Sequence, residues 1–469
     1  MTALMIQGTS SWAGKSLLTT ALCRLFARRG LRVAPFKAQN MSNNARVVPG
    51  GEIGAAQYLQ ALAAGIEPDV RMNPVLVKPE GDHRSQVVIG GVVDHYLSAT
   101  PWPARQRELW PAIEPALRSL LAEFELVVIE GAGSPAEINL REFDLVNMRV
   151  AAAAEAPVVL VADIYRGGAF AHLYGTWALL DEDERRRICG FVLNKFRGDA
   201  ALLAPGPERL EQLTGVPVIG VLPWLEHGLP DEDGAGAPAA RPGRPRVAIV
   251  RYPTASNLDE FRMLEQIAQV VWVREPNNLD DADLVILPGS KHVAGDLDWL
   301  RRSGVDAAIE SRVSDGGRLI GICGGLQLLG EQIEDPYAVD GSGEALNLLP
   351  LITTFARDKL TQRREARFAS LAPPWQVLSG LDTSGYEIRH GWTRITGAVV
   401  AALPDGLGFA RGPILGVYLH GLLEDPAVVK ALIGEAPARS LADVFDELAD
   451  AAERHLVLKQ VEALLGASV

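Results

Sequence analysis

A cysteine between small residues is the first candidate for chemistry in this chain. Cys323 lies in the run GICGG, which follows an apolar segment at residues 318–322 and precedes a helical pattern. On such a strand–turn–helix elbow the nucleophile occupies a tight turn, and the helix N-terminus lowers the pKa of its thiol. We expect the backbone N–H of Gly324, with that of Gly289 in a Pro-Gly turn after another strand, to form an oxyanion hole.

A thiol nucleophile needs a general base, and His420 is the candidate. It follows an apolar strand predicted over residues 414–418. A histidine within hydrogen-bond reach of a cysteine accepts the thiol proton. By contrast, Cys23 lies on the apolar face of a predicted helix and Cys189 opens a strand, so we interpret both as packing residues. The pattern therefore predicts a Cys323–His420 catalytic pair.

A phosphate-binding loop is predicted near the N-terminus. The run GTSSWAGKS at residues 8–16 follows the first apolar strand and opens a helix predicted over residues 15–29. Five residues separate its glycines, where the standard P-loop has four, as in variant loops of the dethiobiotin-synthetase-like group. Loop N–H groups and the helix N-terminus bind phosphate oxygens, the lysine bridges the outer phosphates, and the serine hydroxyl ligates Mg²⁺. The residues expected to bind ATP in this way are Gly8, Thr9, Ser10, Gly14, Lys15 and Ser16.

Two strand ends belong with this loop. Glu130 ends the apolar run VVIE, where a second Mg²⁺ ligand beside Ser16 is expected, although a plain strand-end carboxylate gives the same pattern. Asn194 ends the run GFVLN. Its amide can read an adenine edge or serve as a structural cap, and the residues alone leave both roles open.

The elements that position these residues predict an α/β fold. Short apolar runs without polar alternation are typical of parallel strands covered by helices on both faces. Such runs occur at residues 4–7, 126–130, 158–162, 190–194, 247–251, 284–287 and 318–322. A chain of 469 residues exceeds one hydrophobic core. We therefore expect a P-loop parallel-sheet domain followed by a second α/β domain that carries Cys323.

The seam between the domains is predicted from composition. The stretch DEDGAGAPAARPGRP ends at Pro245 and lacks periodicity, which is typical of a linker. The expected boundaries are residues 1–232 for the first domain, 233–245 for the linker, 246–432 for the second domain and 433–469 for a C-terminal helical segment. The apolar spacing of residues 440–465 predicts that this segment packs onto the second domain.

Charge and cysteine content exclude several classes of function. A formal net charge of -13 and a pI near 5.2 argue against nucleic acid or an anionic membrane as the main partner. Three cysteines cannot build a disulfide framework. We find neither a signal-peptide pattern nor an apolar run of membrane-spanning length. A soluble, cytoplasmic protein is expected.

The motifs taken together resemble the cobyric acid synthase family over nearly the whole chain. The matching segments, in chain order, are QGTSSWAGKS, VAPFKAQNMSNNA, EIGAAQYLQALAAGI, MNPVLVKP, SQVVIGG, EGAGSPAEINLREFDLVNMRVA, FRGD, LPGSKH, GICGGLQLLG and YLHG. The segments FKAQNMSNNA and SPAEINL are particular to this family and are absent from P-loop proteins in general. The resemblance implies a P-loop synthetase domain followed by a class I glutamine amidotransferase domain.

The resemblance also implies the reaction. The family amidates the b, d, e and g carboxylates of adenosylcobyrinic acid a,c-diamide, with one ATP and one glutamine per amide. The Cys323 domain would release ammonia from glutamine, and the first domain would convert a carboxylate into an acyl phosphate. Lys37 would offset the charge of the phosphates, and Asn40 and Asn43 would contact the substrate. Without the resemblance, the asparagine-rich stretch would be interpreted as a polar loop.

Departures from the family pattern bear on other positions. Trp12 and Tyr165 stand where the family carries aspartates, and Arg389 stands where it carries a histidine. Class I glutaminases commonly place Glu two residues after the histidine, whereas this chain has Leu422 there. The third member of the triad therefore stays open.

Three alternatives remain. Cobyrinic acid a,c-diamide synthase has the same two-domain plan. A P-loop partitioning ATPase would have no use for the Cys323 domain, and a scaffold that has lost activity would have no reason to retain Lys15, Cys323 and His420.

Overall fold

The computed structural model describes residues 2–81, 84–229 and 243–466. The strands before residue 230 are β1 Thr2–Gly8, β2 Val33–Phe36, β3 Gln39–Met41, β4 Ala45–Val48, β5 Gly51–Gly54, β6 Val75–Gly81, β7 Arg84–Ile89, β8 Val92–Asp94, β9 Leu126–Glu130, β10 Val158–Asp163, β11 Ile188–Phe196 and β12 Val218–Pro223. The α-helices are α1 Lys15–Arg28, α2 Ala55–Ala63, α3 His95–Ala99, α4 Trp102–Glu108, α5 Trp110–Glu123, α6 Met148–Ala153, α7 Ala169–Leu179, α8 Glu182–Arg185 and α9 Gly206–Thr214. Short 3₁₀ helices lie at Val70–Met72, Arg141–Phe143 and Ala200–Leu203.

The second part of the chain has its own set of elements. The strands are β13 Arg246–Val250, β14 Ala255–Ser256, β15 Gln269–Val273, β16 Leu284–Leu287, β17 Gly289–Ser290, β18 Arg318–Ile322, β19 Gln332–Glu334, β20 Gly343–Glu344, β21 Leu351–Arg367, β22 Asp382–Ile395, β23 Val400–Leu403, β24 Gly408–Arg411 and β25 Ile414–Val417. The α-helices are α10 Leu264–Ile267, α11 Val293–Ser303, α12 Val305–Ser314, α13 Gly324–Leu329, α14 Pro426–Ile433, α15 Leu441–His455 and α16 Leu458–Leu464. The 3₁₀ helices lie at Leu258–Phe261, Pro276–Leu279, Trp375–Leu378 and Leu422–Glu424.

Six parallel strands form the sheet of the first part, in the order β12-β11-β10-β1-β9-β2. All residues of β9 and β10 are buried, because helices cover both faces of the sheet. The prediction of a buried parallel sheet is confirmed. The carboxyl ends of parallel strands are the usual ligand-binding edge. At that edge β1 leads into the predicted phosphate loop, β9 ends at Glu130, and Asn194 lies near the end of β11.

A second sheet organises the later part of the chain, in the order β15-β13-β16-β18-β25-β24-β23. Its first five strands are parallel, and β24 and β23 add antiparallel pairs at one edge. Cys323 directly follows β18, and His420 lies shortly after β25. Because β18 and β25 are neighbours in this sheet, the two candidate catalytic residues are brought to the same edge.

Two smaller β structures connect the parts. In the first part, β3, β6, β7 and β8 form a four-stranded sheet, and β6 and β7 pair as an antiparallel hairpin. In the second part, the long strands β21 and β22 pair with each other and make contacts with β4 and β5 of the first part. These elements bring side chains of the first part to the edge that carries Cys323.

The C-terminal helices do not pack where the sequence analysis placed them. Helix α15 lies against α1 and β12 of the first part. Its apolar residues Val444, Phe445 and Leu448 share one buried cluster with Leu22 and Phe26 of α1. The prediction of packing onto the second domain was therefore wrong, because an amphipathic pattern indicates that a face is buried but does not identify the surface that receives it.

Polar contacts support the same docking of α15. Arg24 of α1 forms a two-point ion pair with Asp446, with Nε 2.8 Å from one carboxylate oxygen and Nη2 3.0 Å from the other. Arg28 and Asp450 form a second ion pair between the two helices at 2.6 Å. The chain therefore returns to its first domain after completing the second.

The predicted linker at residues 233–245 lies largely outside the described residues. Structure is described again from Gly243, and β13 begins at Arg246, directly after the Pro245 at which the linker was expected to end. Within the described part of the chain, no helix combines the length and apolar character needed to cross a bilayer.

We predict that Leu448→Ala lowers the free energy of unfolding by about 2–5 kcal/mol, because it leaves a cavity between α15 and α1. Val457→Ala is the matched control. Val457 lies just after α15 in the chain, but 47% of the residue is exposed, so truncation should change the free energy of unfolding by less than about 0.5 kcal/mol. Denaturant unfolding followed by tryptophan fluorescence measures both, and equal stability of the two variants would contradict the docking.

Candidate active site

The predicted phosphate loop wraps against the end of β11. Gly14 has a left-handed backbone with φ 101°, and a Cβ atom at this position would lie 1.9 Å from Nδ2 of Asn194. That amide nitrogen donates to the carbonyl oxygen of Ala13 at 2.9 Å. Asn194 thus supports the loop directly, which corresponds to the structural role that the sequence left open beside adenine recognition.

The charged groups predicted at this loop converge. Ser16 Oγ donates to Glu130 Oε1 at 2.8 Å, and Lys37 Nζ lies 2.9 Å from the same oxygen. Gln60 Nε2 donates to the other oxygen of Glu130 at 2.5 Å. Lys15 Nζ donates to the carbonyl oxygens of Ser10 at 3.0 Å and Gly133 at 3.2 Å, so it lies inside the loop.

The oxygens at this point fit a phosphate-bound Mg²⁺. Adjacent ligands of an octahedral Mg²⁺, each at about 2.1 Å, lie about 3 Å apart, close to the 2.8 Å between Ser16 Oγ and Glu130 Oε1. Among the described residues, no group of three His, Cys, Asp or Glu side chains could hold a metal alone. Mg²⁺ commonly takes few protein ligands beside phosphates and water, so Ser16 and Glu130 suffice as candidates.

A cavity of about 810 Å³ extends from the phosphate loop along the asparagine-rich stretch. Asn43 lines it, and its Oδ1 is buried without a hydrogen-bond partner among the described residues. Asn40 also lines the cavity, but its Nδ2 donates to Gln57 at 3.1 Å and its Oδ1 accepts from the N–H of Met41. Thr9 Oγ1 in the phosphate loop is likewise buried without a partner within the described chain. Of the two asparagines that line the cavity, Asn43 therefore has a polar atom left for a ligand, whereas the amide of Asn40 is engaged.

The two aromatic departures from the family pattern lie at the surface. Trp12 has 46% of its side chain exposed and lines the cavity with Trp224. Tyr165 packs against Trp224 with ring centroids 4.8 Å apart, and the guanidinium of Arg197 lies over both rings. An aromatic and cationic rim therefore stands near the mouth of the phosphate site.

Cys323 occupies the strained turn that its sequence predicts. Its φ of 52° and ψ of -103° lie outside the regions that non-glycine residues favour, and helix α13 begins at the next residue. The Cys323 N–H donates to Val417 of β25 at 2.7 Å, which holds the elbow against the neighbouring strand. The thiol is nearly buried, with 6% of the residue exposed.

The two predicted oxyanion donors flank the nucleophile differently. Gly324 lies so close to the turn after β16 that a Cβ on it would be 2.5 Å from the backbone nitrogen of Ser290. Gly289 instead pairs with Ser256 in the β14–β17 ladder and packs against the ring of His420. The backbone N–H of Lys291 donates to the carbonyl oxygen of Thr254, next to β14. Because successive backbone N–H groups of an antiparallel strand point to alternate sides, the N–H of Ser290 points away from β14. Ser290 therefore offers the backbone nitrogen nearest Gly324.

Glu260 supplies the acid that the sequence analysis did not find. Its Oε1 lies 3.0 Å from His420 Nδ1, and its Oε2 accepts the N–H of Gly421 at 2.8 Å. Both side chains are buried. Thiol, imidazole and carboxylate thus form the arrangement of a nucleophile, its base and the group that orients the base.

The charges of this triad favour a protonated imidazole. Burial lowers the pKa of His420, but Glu260 and the Cys323 thiolate outweigh burial and raise the pKa to about 10. Tyr386 stacks on the His420 ring with centroids 5.4 Å apart, and the two backbones exchange hydrogen bonds. The imidazole is therefore fixed in place as well as charged.

Arg389, the third departure, lies at the edge of the same site. Its Nε donates to Glu387 at 2.7 Å, and its guanidinium lies 4.1 Å from the centroid of the Tyr418 ring. The side chain lines the Cys323 cavity but is held by its own partners.

One short segment separates the two cavities. Ala255 and Leu258 line the cavity of the phosphate loop, whereas Ser256 and Asn257 line a cavity of about 570 Å³ that contains Cys323 and His420. Asn257 has a left-handed φ of 56° and is buried. The two sites therefore lie on opposite sides of residues 255–258.

Residues of the asparagine-rich stretch complete this wall. Asn257 Nδ2 donates to the carbonyl oxygen of Ala45 at 2.9 Å and to Tyr386 Oη at 2.8 Å. The N–H of Leu258 donates to Asn44 Oδ1 at 3.0 Å. Both halves of the chain therefore contribute to the wall.

Comparison with known proteins agrees with both sites. Residues 4–230 match the family model of a CobQ/CobB/MinD/ParA nucleotide binding domain, and residues 246–428 match that of a CobB/CobQ-like glutamine amidotransferase domain. A cobyric acid synthase of Polaromonas sp. (strain JS666 / ATCC BAA-500) is 54% identical over 99% of this chain and 98% of its own. Cobyric acid synthases of Polaromonas naphthalenivorans (strain CJ2) and Variovorax paradoxus (strain S110) are 55% and 54% identical, over 99% and 98% of this chain and 99% of each relative.

We predict that Glu260→Gln slows alkylation of Cys323 by iodoacetamide at neutral pH by about 10-fold or more. Loss of the carboxylate charge lowers the pKa of His420, so the imidazolium that stabilises the thiolate loses its proton at lower pH. Peptide mass spectrometry across a pH series measures the rate, and half-buried Cys189 is the internal control, which should be unaffected. An unchanged pH profile for Cys323 would contradict the role of Glu260.

Proposed function

The chain belongs to the cobyric acid synthase family, and from this premise we propose that its substrate is adenosylcobyrinic acid a,c-diamide, amidated at the b, d, e and g carboxylates. It is a glutamine-dependent, amide-forming ligase of the cobalamin pathway, with a nucleotide-binding domain and a glutamine amidotransferase domain. The observation that carries the proposal is a Cys–His–Glu triad and a phosphate loop that share one wall. We assign residues 1–232 to the synthetase and 246–432 to the glutaminase, and place the reaction in the cytoplasm.

Glutamine hydrolysis follows from the triad. The thiolate of Cys323 attacks the side-chain amide carbon of glutamine, and N–H groups at Gly324 and the turn of residues 289–290 bind the oxyanion. His420 gives its proton to the departing nitrogen, so ammonia leaves and a thioester remains. Water then cleaves the thioester with His420 as base, which releases glutamate and restores the thiol. Glu260 keeps the imidazole oriented throughout.

Carboxylate activation follows from the phosphate loop. A substrate carboxylate oxygen attacks the γ-phosphorus of ATP and ADP departs; ammonia then attacks the acyl carbon and releases phosphate. Lys15 and Lys37 are placed to offset the charge that develops on the phosphate oxygens. Mg²⁺, when bound at Ser16 and Glu130, would neutralise further phosphate charge. These residues supply position and charge, which is the main demand of phosphoryl transfer.

The asparagine-rich stretch is suited to the rim of a corrinoid. We propose that Asn43 hydrogen-bonds a substrate amide, because the residue lines the cavity and its Oδ1 is an acceptor without a partner in the described chain. Asn40 would act by holding the loop through Gln57. Asn194 would bind the nucleotide through the phosphate loop that it supports.

Ammonia must cross from one cavity to the other. We propose that it passes at Asn257, whose side chain lies in the wall between the cavities and bonds to both domains. Transfer inside the protein keeps ammonia from being protonated in water, where it would lose its nucleophilic electron pair.

The proposed substrate is tested by mass spectrometry. We predict that the purified protein, incubated with adenosylcobyrinic acid a,c-diamide, ATP, Mg²⁺ and glutamine, replaces carboxyl OH by NH₂ stepwise and stops after four amides. Lys15→Ala should abolish amidation with either glutamine or ammonium, because the outer phosphates lose their bridging charge. Amidation of unamidated cobyrinic acid, with none of the a,c-diamide, would instead assign the chain to the a,c-diamide synthase reaction.

The proposed ammonia passage predicts uncoupling by Asn257→Leu. Glutamine hydrolysis and ammonium-dependent amidation should persist, whereas the ratio of glutamate released to amide formed from glutamine should rise about 10-fold or more, a barrier of about 1.4 kcal/mol. Asn347→Leu is the matched control, because Asn347 has the same left-handed φ of 56° but is exposed and lines neither cavity.

Cys323→Ala should differ from Asn257→Leu in glutamine hydrolysis, which it should lose, while both variants should keep ammonium-dependent amidation. If Asn257→Leu and the unaltered protein release the same amount of glutamate per amide formed, passage of ammonia at Asn257 is contradicted.

A further inference from the structure

Three lysine side chains meet at the boundary between the synthetase and glutaminase domains. Lys78 Nζ lies 2.5 Å from one oxygen of Glu52, and Lys359 Nζ lies 2.5 Å from the other. Gln86 Oε1 accepts from Lys359 at 2.9 Å and from Lys291 at 3.3 Å. Three amines therefore share one carboxylate and one amide oxygen, and they come from both domains.

This amine cluster is short of negative charge. Although burial opposes it, Lys359 and Lys78 hold the pKa of Glu52 well below its usual range, so the carboxylate is ionised. Burial lowers the pKa of Lys78 well below its ordinary value. Even with Lys78 neutral, the amines of Lys359 and Lys291 face a single carboxylate. Burial and the neighbouring Lys359 lower the pKa of Lys291 to about 8, so its amine is still mainly protonated at neutral pH. Buried charge without a counter-charge is costly, so the cluster is suited to an anionic ligand.

The cavity beside the amine cluster has the same imbalance. Its described lining contains six lysine or arginine residues and two acids, Glu80 and Asp340, in a chain whose net charge is -13. The cations are Lys78, Arg84, Lys291, Arg357, Lys359 and Arg389. An acidic protein thus concentrates positive charge at one cavity, and this cavity also contains Cys323 and His420.

Of these six cations, Lys291 and Arg357 have no carboxylate partner in the described part of the chain, whereas the other four do. Arg389 is paired with Glu387, Arg84 lies 3.7 Å from Glu80, and the other two lysines reach Glu52. Among the described residues, no carboxylate lies within 4 Å of Lys291 Nζ. Within the described chain, Lys291 Nζ donates to the neutral oxygen of Gln86, which also accepts from Lys359.

Lys291 also lies next to the reacting centre. It directly follows Ser290, whose backbone nitrogen faces Gly324, and both Lys291 and Cys323 line the same cavity. A substrate whose amide carbon lies at the thiol has room to extend its remaining atoms through this cavity to the amine of Lys291. The anion at the far end of glutamine is its α-carboxylate.

We propose that Lys291 binds the α-carboxylate of glutamine, in a pocket that the synthetase domain completes with Lys78 and Gln86. The inference rests on the proposed glutaminase function of the Cys323 site. The ammonium group of Lys291 would then determine specificity for glutamine, because it would add no binding energy for an amide substrate without an α-carboxylate.

The test compares two substrates in two proteins. We expect Lys291→Met to raise the KM of glutamine about 10- to 100-fold with little change in kcat, since a hydrogen bond to a charged group is lost. For 4-aminobutanamide, which is glutamine without its α-carboxylate, the ratio kcat/KM should be the same in the variant and the unaltered protein. Lys291→Arg should restore much of the preference for glutamine.

If 4-aminobutanamide is turned over too slowly for kinetics, its binding can be measured instead. Glutamate should protect Cys323 from iodoacetamide in the unaltered protein and do so about 10-fold less effectively in Lys291→Met, whereas protection by 4-aminobutanamide should be equal. Lys430→Met is the control, because Lys430 is an exposed lysine of the glutaminase domain.

Three results would overturn the proposal: an unchanged KM for glutamine, a loss in kcat alone, or equal losses for both substrates. Ammonium-dependent amidation of the corrinoid distinguishes an error in the role of Lys291 from an error in the proposed function of the whole protein. It should be normal in Lys291→Met, and its absence from the unaltered protein would reject the synthetase assignment whatever the glutamine kinetics show.

Discussion

The buried guanidinium of Arg46, in the first domain, forms ion pairs with two acids of the second domain and so holds the two sites in a fixed relation. Its Nε donates to Asp259 at 2.9 Å and its Nη1 to Glu424 at 2.8 Å, and only 4% of the residue is exposed. A charge removed from water in this way is stable only while its partners stay in place. Arg46 follows the asparagine-rich stretch of the synthetase, and Asp259 precedes Glu260 of the triad. The ion pair therefore fixes the asparagine-rich stretch relative to Glu260 and His420.

The same constraint explains the unusual origin of the triad acid. Glu424 lies a few residues after His420, where a triad carboxylate would be sought, but it is bound to Arg46. Glu260 approaches the imidazole from another element and also accepts the N–H of Gly421. One carboxylate near the histidine thus holds the domains together while a distant one orients the base.

Local sequence patterns predicted the elements and the residues that those elements carry directly. The buried parallel strands, the phosphate loop and the cysteine elbow each depend on neighbouring residues, so their patterns were sufficient. Contacts between distant segments were not predictable in this way. Glu260 belongs to the 3₁₀ helix Leu258–Phe261, and its only local signal is a pair of acids in an otherwise apolar run. The receiving surface of α15 and the lysines around Glu52 likewise depend on how the domains meet.

Backbone strain occurs at the cysteine elbow and in the wall between the two cavities. Cys323 and Asn257 each have φ above 50°, a conformation that surrounding contacts must maintain. For Asn257 those contacts are the carbonyl of Ala45 in the synthetase and the hydroxyl of Tyr386, whose ring stacks on His420. A shift of the backbone at Ala45 would therefore reach the imidazole of His420 through two hydrogen bonds and one stacking contact. The wall that separates the two cavities thus also connects the backbone of the first domain to the imidazole of His420.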